Sequence, residues 1–172
     1  MINYDLTKIK ALAFDVDGVL STENVRIASD GELLRTANTK DGYVLRLAAM
    51  CGLHVAVITG ARESSILARY EAIGIYDVFL GSSVKTEKLQ QLLDRYNLST
   101  DEVLYMGDDI PDYEVMKLVG LPCCPRDAAP EIRDISLYVS HKDGGQGCVR
   151  DVVEQVLKAQ GKWMADKKAF SW

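Results

Sequence analysis

Ile9-Lys10-Ala11-Leu12-Ala13-Phe14-Asp15-Val16-Asp17-Gly18 is a mostly apolar run that stops at two carboxylates and a glycine. Such a run reads as a buried strand entering a loop. The pattern recurs along the chain. Leu53 to Ile58 is a β-branched run ending at Thr59-Gly60, and Asp77 to Leu80 is another short strand. Glu102 to Met106 ends at Gly107-Asp108-Asp109, and Ser136 to Ser140 is the last strand. Between them lie stretches with helical spacing. Val44, Leu47, Ala48 and Cys51 mark a helix over Asp41 to Cys51, and Arg62 to Ala72 reads as a second, stopped by Gly74. Leu89, Leu92, Leu93 and Tyr96 form the apolar face of a third. Pro111 suits the first turn of a helix to about Val119. Val149, Val152, Val153, Val156 and Leu157 define the last. Strand and helix alternate, which predicts an α/β fold with a parallel sheet and helices on both faces. Thr22 to Thr39 breaks the alternation. Ser29-Asp30-Gly31 sits between Val25-Arg26-Ile27 and Leu33-Leu34, and this predicts a β-hairpin over about residues 22–39.

The chain has 172 residues, which predicts a single domain over 1–172 with one sizeable core. Residues from about 160 to 172 read as a tail, although Trp163, Met164, Phe170 and Trp172 suggest that it packs on something. Twenty-five acidic side chains outnumber 20 basic ones, and no basic stripe is present, which argues against a nucleic-acid partner. No apolar stretch approaches the roughly 20 residues needed to cross a bilayer, and Met1 to Lys10 lacks the pattern of a secretory leader. A cytoplasmic protein with no membrane partner is expected. Cys51, Cys123, Cys124 and Cys148 contain no C-x-x-C pair and read as idle or buried thiols.

In an open parallel sheet, ligands bind at the carboxyl ends of the strands. Those ends carry Asp15 and Asp17, then Thr59-Gly60, then Asp108 and Asp109 with Asp112 following, while Lys85 opens a helix. Carboxylates this close repel unless something neutralises them. A hard divalent cation does so, and Mg²⁺ favours a few carboxylates together with water and phosphate oxygens. With a lysine and a hydroxyl nearby, the set suits a phosphate.

These residues carry a resemblance. Phe14-Asp15-Val16-Asp17-Gly18-Val19-Leu20 resembles the first motif of the haloacid dehalogenase (HAD) superfamily of phosphatases. Thr59-Gly60, Lys85 and Gly107-Asp108-Asp109-x-x-Asp112 resemble its second, third and fourth motifs, in order. The likeness spans essentially residues 9 to 158 and implies a three-layer Rossmann-like fold and a phosphoric monoester hydrolase. By position it implies that Asp15 is the nucleophile that becomes an aspartyl-phosphate. Asp17 is then general acid and base, and Lys85 neutralises developing charge. Asp15, Asp17 through its backbone carbonyl, and Asp108 would hold Mg²⁺, with Asp109 and Asp112 behind them. Thr59, Gly60 and Lys85 would bind the phosphate.

Many members insert a cap domain over the site. Here Leu20 to Asp41 leaves room for the hairpin only, and Thr59 to Lys85 already holds a helix and a strand, so no cap is expected. An open site then needs a macromolecular substrate or a neighbouring subunit to close it, and the hairpin and tail are candidate contacts. Thr39-Lys40-Asp41-Gly42, the helix containing Arg69, and Gly144-Gly145-Gln146-Gly147-Cys148-Val149-Arg150 resemble the capless 3-deoxy-D-manno-octulosonate 8-phosphate (KDO 8-phosphate) phosphatases. That likeness implies a tetramer serving lipopolysaccharide synthesis. The alternatives are a 2-keto-3-deoxynononate (KDN) or N-acylneuraminate 9-phosphate phosphatase, a phosphatase on a macromolecule, or a non-catalytic scaffold. The group commonly reads Thr-Gly-Arg, whereas Ala61 here separates Gly60 from Arg62. A carboxylate on the substrate would want an arginine clamp, for which Arg62 and Arg69 are candidates, with Lys40 a third cation. His54, His141 and the tail tryptophans read as structural, and the Gly144-Gly145-x-Gly147 run as a rim or hinge loop.

Overall fold

The computed structural model describes residues 1–170. The chain runs through β1 (Ala11–Phe14), the hairpin strands β2 (Arg26–Ile27) and β3 (Leu33–Leu34), α1 (Thr39–Met50), β4 (His54–Ile58) and α2 (Ser64–Glu71). It continues through β5 (Asp77–Phe79), α3 (Lys85–Tyr96), β6 (Val103–Met106), α4 (Tyr113–Leu118) and β7 (Leu121–Cys124). It then passes through α5 (Pro130–Ile135), β8 (Tyr138–Val139) and α6 (Cys148–Ala159). Six strands form one parallel sheet in the order β5-β4-β1-β6-β7-β8. The chain works outward from β1 to one edge and then returns to build the other. The crevice at such a reversal is where parallel sheets place ligands.

Side-chain alternation explains the layering. In β1, Leu12 and Phe14 face one core with Val55 and Val57 of β4 and Leu104 and Met106 of β6. α1, α2 and α6 cover this face. Ala11 and Ala13 face the other core with Ala56, Ile58 and Tyr105, under α3, α4 and α5. A central strand buried on both sides has no polar face, which is why its run is nearly continuous in sequence. α6 contributes Val149, Val152, Val153, Val156 and Leu157 to the first core, matching its predicted stripe. Asp41 of α1 is buried and accepts the Arg150 N–H at 2.7 Å, which ties α1 to the start of α6.

Two elements escaped the sequence pattern. β7 contains Pro122, and a proline in a run argues against a strand interior. Its carbonyl still accepts from Leu137 at 2.9 Å, and Tyr105 lies opposite it in the register. Cys123 and Cys124 lie on this strand, one facing each core, and all four cysteines are free. α5 has only six residues, too few to show a helical period. The predicted hairpin is present, but each of its strands has two residues. The helix expected from Arg62 begins at Ser64, and the one expected from Pro111 opens with a 3₁₀ turn over Ile110–Asp112.

The tail packs on its own chain as far as it is described. The Arg150 guanidinium lies 4.8 Å from the Trp163 ring and 5.5 Å from that of Tyr43. Tyr43 donates its hydroxyl to the carbonyl of buried Ala169, while Met164 and Phe170 are exposed. Trp172, expected to pack or to meet a partner, lies outside the described residues. His54 stacks on Tyr96 with centroids 3.7 Å apart, and His141 sits 3.4 Å from Asp151. No helix among the described residues is long and apolar enough to cross a membrane.

Candidate active site

The register brings the motif residues to one rim. Phe14 lies opposite Val57 on one side and Met106 on the other. Asp15 is therefore one residue beyond this level on β1, while Thr59 and Asp108 lie two residues beyond it at the ends of β4 and β6. The Asp15 N–H donates to the Met106 carbonyl at 3.0 Å, which fixes the chain just where the loop begins.

Asp15, Asp108 and Asp112 form a cluster in which one carboxylate oxygen of each lies within 4.8 Å of the others. Lys85, at the start of α3, is buried between two of them, with Nζ 2.9 Å from Asp15 and 2.7 Å from Asp112. Asp112 also accepts the Tyr105 hydroxyl at 2.7 Å and the Asp108 N–H at 3.3 Å. It is fully buried, and the structure places it inside the cluster, where the sequence put it behind the metal ligands. Asp109 is exposed and lines the same pocket with Glu23 and Asp127, in a cavity of about 460 Å³.

Burial and like charge set the electrostatics. Burial, then the Asp112 carboxylate, push Asp15 up to about 7 against the pull of Lys85. Burial, with Asp15 and Asp112 beside it, pushes Asp108 up to about 8. Burial works against the Lys85 ammonium, but Asp15 and Asp112 outweigh it and hold its pKa above the usual lysine value. Three converging oxygens and a surplus of negative charge are the donor set of a hard divalent cation, and the residues present fit Mg²⁺.

The sign of the pH effect follows. An acid whose folded pKa exceeds its unfolded value of about 4 contributes stability that is present below that pH and lost as pH rises through the folded pKa. Without metal, the melting temperature should therefore fall between about pH 4 and pH 8. A divalent cation competes with protons for these oxygens, so Mg²⁺ should raise the melting temperature more at about pH 8 than at about pH 6. Thermal scans with and without the ion check this; an equal rise at both pH values would contradict it.

Two glycines let the loops close on the cluster. Gly18 has φ +79°, and a Cβ there would collide with the Asp108 carboxylate. Gly144 lies against the Gly18 backbone so closely that a Cβ would overlap its carbonyl. The Gly145 N–H donates to Val19 at 2.8 Å, and Asn38 donates to the Gly145 carbonyl at 3.0 Å. The glycine run read as a rim or hinge loop is thus a brace beneath the first site loop. Gly18→Ala should displace Asp108 and weaken Mg²⁺ binding by about 10- to 100-fold, the scale of lost supporting contacts around a metal. Calorimetric titration checks it.

The other candidates are placed less centrally. Thr59 is buried, and its Oγ1 accepts the Ala61 N–H at 3.2 Å, while Gly60 is exposed. Asp17 lines the pocket, but its carboxylate is held by Arg35 and lies outside the three-carboxylate cluster. Arg62 is exposed with its stem near Gly81, and Lys40 is exposed on the first turn of α1. Arg69 is half-buried against Gly42, beneath the hairpin. None of these three cations lines the acidic pocket. Arg35 was missed, since a lone arginine after a two-residue strand carries no sequence signal.

Comparison with known proteins agrees with this geometry. Residues 61–150 match the haloacid dehalogenase-like hydrolase family. The chain is 38% identical over 154 residues to a 3-deoxy-D-manno-octulosonate 8-phosphate phosphatase of Salmonella typhi, covering 90% of this chain and 82% of that one. The crystal structure of the Yersinia pestis phosphatase of that name superposes with a TM-score of 0.89 at 35% identity, over 92% of this chain and 85% of that one. The Moraxella catarrhalis phosphatase, crystallised with magnesium, phosphate and KDO, superposes at 0.91 with 30% identity, over 97% and 96%.

Proposed function

Because this chain belongs to the haloacid dehalogenase-like hydrolases, and is thereby a phosphoric monoester hydrolase, we propose that it cleaves KDO 8-phosphate to KDO and phosphate with Mg²⁺ as cofactor. The observation that carries the reading is the buried Asp15–Lys85–Asp112 arrangement, with Asp108 alongside, at the sheet's crevice. The names and bound molecules of the relatives supply the substrate.

Asp15 attacks phosphorus and displaces the sugar-acid alkoxide, giving an aspartyl-phosphate. Lys85 sits 2.9 Å from the attacking carboxylate and offers its positive charge to the phosphoryl oxygens. Asp17 gives a proton to the departing oxygen and then takes one from the water that frees phosphate and restores Asp15. Thr59 and the Gly60 N–H, at the end of β4, would bind phosphoryl oxygens. Asp15, Asp108 and the Asp17 carbonyl would hold Mg²⁺; Asp112, inside the cluster but with one oxygen taken by Lys85 and the Tyr105 hydroxyl, would support them together with Asp109. The ion supplies the positive charge that lets an anionic phosphate approach an anionic nucleophile.

The hairpin leaves Ile27 and Leu34 exposed to solvent. This supports a homo-oligomer, a tetramer by resemblance, in which a neighbouring copy closes the site. The substrate would place the enzyme in the cytoplasm, on the route to lipopolysaccharide. Phosphate release from KDO 8-phosphate should vanish on dialysis against EDTA and return with Mg²⁺. Undiminished release after dialysis would overturn the metal's part.

A further inference from the structure

The hairpin reaches into the chemistry through one side chain. Arg35, one residue beyond β3, donates from Nε to Asp17 Oδ1 at 2.7 Å and from Nη2 to Asp17 Oδ2 at 3.0 Å. Its Nη1 lies 3.0 Å from Oε2 of Glu63, the residue before α2. The Arg35 side chain is 9% exposed although Leu34 and Thr36 beside it are exposed. Arginines on short exposed hairpins are usually solvated. This one is held between two elements of the site.

The charges indicate what it does there. One guanidinium already faces two carboxylates, so it has no spare positive charge for an incoming anion, and a substrate clamp is disfavoured. A two-pronged guanidinium–carboxylate pair instead fixes the plane of the carboxylate, which a single hydrogen bond does not. Asp17 is 39% exposed and otherwise free to turn about its own bonds. Each of its oxygens keeps a second lone pair for a proton.

We propose that Arg35 is a positioning residue: by gripping both oxygens of Asp17 from the hairpin, it aims that carboxylate at the oxygen of the departing alcohol. This rests on the reading of Asp17 as proton donor. It makes the hairpin part of the catalytic apparatus as well as a candidate contact between copies. The step it serves is balanced: the phosphorus–oxygen bond breaks, its electron pair stays on the alcohol oxygen, and the Asp17 proton passes to that oxygen.

The test compares kcat/KM, with Mg²⁺, for phenyl phosphate, p-nitrophenyl phosphate and KDO 8-phosphate in the full chain. This ratio covers the steps through expulsion of the alcohol. The two aryl esters are near-equal in shape and lack a carboxylate. Phenolate needs a proton on leaving far more than p-nitrophenolate does. In Arg35→Gln, kcat/KM should fall about 10- to 100-fold for phenyl phosphate and KDO 8-phosphate, within the general-acid range, and less than about threefold for p-nitrophenyl phosphate. Arg35→Lys, which offers one donor and cannot grip both oxygens of Asp17, should recover only a minor part of the loss. An equal fall on all three substrates would make Arg35 merely structural. A fall on KDO 8-phosphate alone would make it a substrate clamp, and no fall would leave it idle; each overturns the proposal. Asp17→Asn is the reference. If it too ignores the leaving group, the donor role of Asp17 fails; if it discriminates and Arg35→Gln does not, only the role of Arg35 fails.

Discussion

Asp15→Asn should give a folded protein whose phosphate release falls to the detection floor. Asp15 ends β1 between two strands, its N–H bound to Met106 and its carboxylate to Lys85. Asparagine keeps the shape and the backbone bond and removes the attacking oxygen anion. Loss of a nucleophile in covalent catalysis costs on the order of 10⁶-fold in kcat. Stability should move the other way. Burial and Asp112 push Asp15 up to about 7, so its ionised form is resisted by the fold. Without metal at about pH 8, the melting temperature of the variant should equal or exceed that of the parent. Phosphate release and thermal scans together check both halves. Activity near the parent's would mean that another carboxylate attacks.

Lys85→Met should be the most destabilising single change in the site. The side chain is buried, and its ammonium is the partner of both Asp15 and Asp112. Methionine fills much of the volume and leaves two buried carboxylates facing each other. Removing one partner from a buried ion pair costs about 3–5 kcal/mol. The loss should be largest at about pH 8 and shrink towards about pH 5, as Asp15 takes up a proton below its raised pKa of about 7. Urea unfolding across pH measures it, and catalysis should fall in the same variant at every pH. Stability equal to the parent's at about pH 8 would mean that the cluster is already neutralised by protons.

Much of this was readable because the chemistry sits where strands stop. β1, β4 and β6 are buried on both faces, so their apolar runs are abrupt, and the first polar residues after them are the site residues Asp15, Thr59 and Asp108. The helices with clear stripes, α3 and α6, were legible for the same reason: one face meets a core. β7 was not, because Pro122 imitates a break although the parallel ladder tolerates it at that register. Asp112 was read as standing behind the metal ligands, and only folding puts it between Lys85 and the Tyr105 hydroxyl. Arg35 and Asp17 are 18 positions apart, joined by a turn whose geometry no periodicity records. Gly18 and Gly144 meet across most of the chain, so their close approach is invisible in either local sequence.

The most direct measurement is kcat/KM for phosphate release, with Mg²⁺, on KDO 8-phosphate, KDN 9-phosphate, N-acetylneuraminate 9-phosphate and a generic aryl phosphate. The proposed function predicts a clear preference for the eight-carbon acid. A preference for either nine-carbon acid would keep the chemistry of Asp15 and Lys85 and contradict the substrate. Weak, uniform activity on all four would contradict closure by a neighbouring copy as well, and would point the open pocket towards a larger phosphate ester.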